Sequence, residues 1–357
     1  MEPTRRAILA GLGATLLPAP AALAGDAPAF VAACRTASGD YAAAVLSEAG
    51  DILLTERLDG RGHDTAVRQD PATAVVFARR PGRFALVIDL VRLARVGAFA
   101  PPPGRLFAGH GVFSADGRLL YATENDFEAE RGVIGVYDAT GGYRRMGEFA
   151  THGIGPHEAI MLRDGHTLAV ANGGILTHPE FPRMKLNIAT MAPSLALIDT
   201  RDGSLIAKAA LAPQHHTLSI RHMDEAAPGV LWFGTQHEGP KTERPPLIGV
   251  FDMARGIELI AESEALTGAM DHYVGSVAAS RDGASVITTS PRGGVVVEWD
   301  ARRRTVRRTE ALADACGAAP LHTGLALTTG EGVFIDERGT RRRSALHWDN
   351  HLAATFL

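Results

Sequence analysis

Residues 163–174 read RDGHTLAVANGG. Arg163-Asp164-Gly165 is a tight hairpin turn, and the apolar run behind it is a short strand that ends at a Gly-rich exit. The same form recurs at Ser114–Asn125 (SADGRLLYATEN) and Ser280–Gly294 (SRDGASVITTSPRGG). A second phrase, an apolar strand ending in an acid and a turn, appears as IGVYDATGG, LALIDTRDG, IGVFDMARG and VVVEWDARR. Its aspartates, Asp138, Asp199, Asp252 and Asp300, are separated by 61, 53 and 48 residues. Each unit therefore reads strand, hairpin, strand, loop, strand ending in Asp, turn, strand. Four antiparallel strands per roughly 50 residues is the period of a β-propeller blade.

A histidine precedes the first strand of every unit: His63, His110, His157, His216, His272, His322 and His351, at intervals of 47, 47, 59, 56, 50 and 29. The last unit is short, with Arg343–Trp348 as its expected third strand. The segment His351–Phe356 then lacks a blade of its own. AFVAACR, YAAAVLSEAG and DILLTERL near the N-terminus supply three strands with no inner strand. Pairing the C-terminal strand with them closes an all-β, seven-bladed propeller and removes its open edges. A monomer is expected.

In such a ring the first strand of each blade lines the channel and starts at the face that carries the long exit loops. Those loops are Glu124–Gly132, Asn172–Ser194 and Gln236–Pro246, whereas the opposite face has tight turns. Long loops held around one mouth by a rigid scaffold are usually binding loops. Here they surround the histidines. Neutral imidazole suits iron, copper or zinc, with carboxylate or amide completing a site. Glu124, Glu158, Asp271, His237, Glu238 and Asn172 are the candidate additional ligands or their hydrogen-bond partners. Side chains alternate along a regular strand, so His157 is expected to face inward and Glu158 away. His215 and His222 read as solvated loop positions, one of which could join the site. Arg183 and Lys185, in the longest loop, are candidates for an anionic ligand. A structural reading stands beside the metal one. Gly62-His63 and Gly109-His110 look like the Gly-His pairs of WD-type propellers, whose histidine is hydrogen-bonded inside the blade.

Composition narrows the field. The net charge of −4 lacks the basic excess that a nucleic-acid partner requires. Cys34 and Cys316 are the only cysteines, which excludes Cys-X-X-Cys metal, redox or haem motifs; their spacing does not decide whether they pair. Thr4-Arg5-Arg6-Ala7-Ile8-Leu9, an apolar stretch and Ala22-Leu23-Ala24 resemble a twin-arginine export signal. Residues 1–24 are thus expected to be a cleaved leader, and 25–357 a single periplasmic domain with no transmembrane segment.

GIGPHEAIMLRDGHTLAVANGGILTHPE (Gly153–Glu180), PRMKLN, MAPSLALID (Met191–Asp199) and HWDNHL (His347–Leu352) together resemble the bacterial family called domain of unknown function 1513. The resemblance implies an exported seven-bladed propeller, encoded beside imelysin-like and other periplasmic iron-uptake proteins. It implies a role in periplasmic metal handling and a metal-uptake protein as partner. A protein-docking scaffold is the first alternative. The second is a lactonase-like hydrolase, with a metal-activated water and Glu158 or Glu124 moving the proton.

Overall fold

The computed structural model describes residues 27–181 and 184–355. The leader segment 1–24 and Arg183 lie outside the described residues. Seven antiparallel sheets form a closed ring. The channel is lined by Gly62–Arg68, Arg105–Phe113, Pro156–Met161, Leu218–Ala227, Ser276–Ala279, Ala315–Pro320 and Ala353–Ala354, each packed against the next around the circle. The first blade takes Pro28–Arg35, Tyr41–Ser47 and Ile52–Arg57 from the beginning of the chain. Its innermost pieces come from the other end. Ala353 and Ala354 pair with Val31 and Phe30, and His347 and Trp348 pair with Arg35 and Cys34. Arg343–Trp348 is therefore not the third strand of the last blade. That place belongs to Val333–Ile335, with Arg341–Arg343 outside it.

The repeated phrases do the turning expected of them. Asp116, Asp164 and Asp282 accept backbone N–H bonds within their hairpins, and Gly117, Gly165 and Gly283 follow at positive φ. The strand-end acids Asp138, Asp199, Asp252 and Asp300 accept N–H groups two or three residues on. Apolar layers fill the spaces between blades. The indoles of Trp232 and Trp299 meet at 5.9 Å across neighbouring blades, and Phe77, Phe107 and Tyr137 fill the layer between the second and third. Among the described residues no helix is long and apolar enough to cross a membrane. Cys34 and Cys316 are free, buried thiols.

The channel strands break their pairing where the histidines stand. Register shifts fall between Gly62 and Thr65, between Phe107 and Gly111, between Pro156 and Glu158, and between Ile220 and Met223. His63, His110, His157 and His222 occupy these bulges, and His351 lies in the break between the two C-terminal pieces. A bulge inserts unpaired residues, bends the strand and re-aims side chains. It therefore suspends the alternation that separates neighbours in regular strand.

Candidate functional site: a histidine cage in the channel

Five imidazoles meet where the bulges converge. His63, His157, His222 and His351 form a four-membered circuit, with centroids 4.6–5.6 Å apart. His110 lies 4.7–5.6 Å from all four. Close approach at one corner depends on Gly109: a Cβ there would stand 2.5 Å from the His63 ring, and its φ is +109°. The glycine of this Gly-His pair thus admits a neighbouring blade's imidazole. The histidines face the channel rather than the interior of their own blade, contrary to the WD-type reading.

Carboxylates complete the cluster. Asp64 Oδ2 lies 3.0 Å from His110 Nδ1, and Glu158 Oε1 lies 3.6 Å from the same atom. Asp64, His110 and Glu158 bring ligand atoms within 4.8 Å of one another, as do His63, His110 and His157, and His110, His222 and His351. His110 belongs to all three groups. A carboxylate that accepts from Nδ1 fixes the tautomer and leaves the Nε2 lone pair facing the cage. The alternation argument fails at His157 and Glu158, since both reach the cluster. Glu158 Oε2 also accepts the backbone N–H of Met223 in the next blade.

Six ring nitrogens are buried with no partner in the protein: His63 Nδ1, His110 Nε2, His157 Nε2, both nitrogens of His222, and His351 Nε2. Leaving one buried polar atom unmet costs about 1–3 kcal/mol, so their concentration at one point is not what packing alone selects. Burial, reinforced by neighbouring rings or guanidinium groups, holds His63, His157 and His222 well below the ordinary histidine range. Burial brings His351 down to about 4. These rings are neutral, as ligands must be. Burial and then Asp64 push Glu158 well above the carboxylate range. Burial also tends to raise Asp64, but the adjacent His110 brings it below its usual value.

Two differently charged vestibules flank the cage. On the long-loop side Arg79, Arg80, Lys185 and Arg221 surround His63 and His157. Towards the hairpin face the channel is lined by Asp64, Glu158 and Asp224, with His222 and His351 on its wall.

The other predicted residues lie elsewhere. His216 follows a 3-10 turn before its strand begins, with Nδ1 3.0 Å from the Pro213 carbonyl; His222, six residues on, takes the channel position. His272 sits at φ 62° and stacks on His237 at 5.5 Å, while Asp271 contacts the same ring from an exposed turn. His237 also approaches the Pro240 carbonyl. His322 lies in the turn after Ala315–Pro320, hence on the hairpin face. Glu124 is locked within its blade by Tyr137 and Arg145, which removes it as a proton carrier at the cage. Asn172 donates to the Thr151 carbonyl 2.9 Å away. Glu238 bridges Lys185 and Arg221 at the long-loop mouth. The sequence pattern does not mark Asp64, and of the two loop candidates His215 and His222 it is His222 that joins the cage. Consecutive polar residues in a channel strand, His63-Asp64, His157-Glu158 and Arg221-His222, were the usable sign, because a regular strand cannot send both inward.

Glu158→Gln tests the electrostatics of the metal-free protein. Its folded pKa lies above the unfolded value, so the stability it contributes is fully present below about pH 4.5 and is lost as pH rises through the folded pKa. Glutamine keeps the acceptor for Met223 without the charge. The variant is expected to be about 1–3 kcal/mol more stable at pH 7, with the gain vanishing by pH 4. Urea unfolding at the two pH values measures it; equal stability at pH 7 contradicts the assignment.

A sequence model described as Protein of unknown function (DUF1513) matches residues 56–355. In three dimensions the chain is similar to a solved chain of Kuenenia stuttgartiensis Hydrazine Synthase, with a TM-score of 0.62 and 13% identity. That match covers 90% of this chain and 97% of the other, and at such identity the likeness is one of fold. No curated protein matches the sequence.

Proposed function

This chain belongs to the DUF1513 family, and we propose that it is a periplasmic metal-handling protein holding a transition-metal ion in the histidine cage. One observation carries the reading: six unpartnered, buried imidazole nitrogens belong to five histidines whose rings pack together in the channel, with ligand atoms of His63, His110 and His157, and of His110, His222 and His351, within 4.8 Å of one another. Packing or ordinary hydrogen bonding leaves no reason for four channel strands to bulge and a fifth to break towards one point, whereas a cation satisfies several of these atoms together. The donor set is imidazole with two carboxylates and no thiolate, which suits iron, zinc or copper. His63, His110, His157, His222 and His351 would hold the ion, Asp64 would orient His110, and Glu158 would supply a balancing charge. The hairpin-side vestibule is acidic and favours cation entry. Bound there, the ion supplies Lewis-acid or redox chemistry.

The test is metal content by elemental mass spectrometry, on protein exported through its own leader and purified without a histidine tag or chelator. Near-stoichiometric iron, zinc or copper is expected. Loading at a thousandfold excess over Kd adds about 4 kcal/mol, which raises Tm by roughly 5 °C in a chain of this size. No retained metal and no shift of Tm with any of the three ions refutes the proposal and leaves the cage as blade structure.

A further inference from the structure

The long-loop mouth above the cage is a cavity of about 110 Å³. Its four cations have few counter-charges. Glu238 is shared between Lys185 and Arg221, and Asp349 is shared between Arg79 and Arg61. Arg80 donates to a neutral group, Thr177 Oγ1, at 2.9 Å. Burial, followed by the charges of Arg221 and Arg79, lowers the Arg80 guanidinium to about 10. Arg221 Nε and the fully buried Ser219 Oγ, both belonging to residues that line the cavity, have no partner in the protein. Crowded guanidinium groups with unmade hydrogen bonds, in a space that admits only a few water-sized objects, match a compact oxyanion.

We propose that this cup binds a small oxyanion of the carboxylate, carbonate or phosphate class, and that anion and metal strengthen each other's binding. The coupling rests on the metal reading of the cage; the cup does not. Arg79, Arg80 and Arg221 repel a cation held by His63 and His157, and an anion between them reverses that sign. Arg221 supplies a second link. Its Nη1 lies 3.2 Å from His157 Nδ1. A guanidinium only donates, so Nδ1 accepts and the neutral ring carries its proton on Nε2, where a metal needs a lone pair. An oxyanion that engages Arg221 releases Nδ1 to take the proton and frees Nε2.

Calorimetry on the metal-free mature protein tests both parts. Bicarbonate, acetate and phosphate are titrated separately, which distinguishes the sources of the oxyanion. Zinc is then titrated with and without each of them. At least one anion is expected to bind and to raise zinc affinity about tenfold, within the usual range of coupling between sites. Arg80→Gln is expected to weaken the anion by at least tenfold and to remove most of that increment. Absence of anion binding at millimolar concentration to either form overturns the proposal. So does binding that survives both Arg80→Gln and Arg221→Lys. Zinc affinity indifferent to a bound anion overturns the coupling and leaves the metal reading standing. Failure of zinc to bind at all refutes the metal reading, and the anion titration of the metal-free protein still decides the cup.

Discussion

His110→Ala is expected to strip the protein of metal while leaving the propeller folded. His110 is fully buried, touches all four other rings and belongs to each of the three ligand groups, so its loss breaks them together. Losing a hydrogen-bond partner one step removed from a metal typically costs 10–100-fold in affinity; losing this ring is expected to exceed about 100-fold. The ring makes no hydrogen bond inside its own blade, and Thr123 keeps its bonds to the backbone of residue 110. Circular dichroism of the variant should therefore match the parent. Elemental analysis of the two proteins side by side checks the prediction. Metal retained at parental affinity in a folded His110→Ala protein would exclude the cage as the site. His272→Ala, which changes a ring outside the cage, is the control and is expected to keep its metal.

The second large effect concerns closure. A chain lacking residues 347–357 is expected to lose the cooperative monomeric fold. Removal exposes one side of Pro28–Arg35 as an unpaired edge, a template for association. It also withdraws Trp348 and Leu352 from the apolar layer around Phe30, Leu46 and Phe334. Asp349, which accepts from Arg61 and Arg79 and whose N–H donates to the Ala33 carbonyl, goes with them. A milder change gives a number. Trp348→Ala alone is expected to cost about 3–5 kcal/mol, a large part of the 5–15 kcal/mol that keeps a typical domain folded. Size-exclusion chromatography and urea unfolding check the two variants. A truncated chain that runs as a monomer with parental stability would show that the ring does not depend on this strap.

The fold was readable because its markers are local. Asp116-Gly117, Asp164-Gly165 and Asp282-Gly283 make their turns with their own neighbours, and Asp138 or Asp300 caps the turn that follows it. Such chemistry needs no knowledge of the rest of the chain. The site was readable in part. His63, His110, His157 and His351 do meet in the cage, although His110 sits in a bulge within its strand and His351 between two strand pieces rather than ahead of a first strand. The position ahead of the fourth channel strand points to His216 rather than His222. In fact Leu218 begins it, and the bulge beyond Ile220 presents the later ring. The placement of His322 rested on the phase of the last unit, which is short and whose channel strand comes earlier, at Ala315–Pro320. Bulges depend on what the neighbouring blade offers, Glu158 reaching Met223 N–H for example, and periodicity does not register them.

The last of the five rings arrives on the strap that closes the circle. Four rings come from consecutive blades, and the fifth, His351, reaches the cage only after almost all of the described chain has been synthesised. During translation the growing polypeptide therefore presents an incomplete set of imidazoles, which on the proposed reading would hold an ion less tightly than the finished ring. On the proposed reading, metal capture would act as a checkpoint on completion: an ion bridging His63 and His351 would fasten the first channel strand to the last, and a circle left open could not take it in the same way.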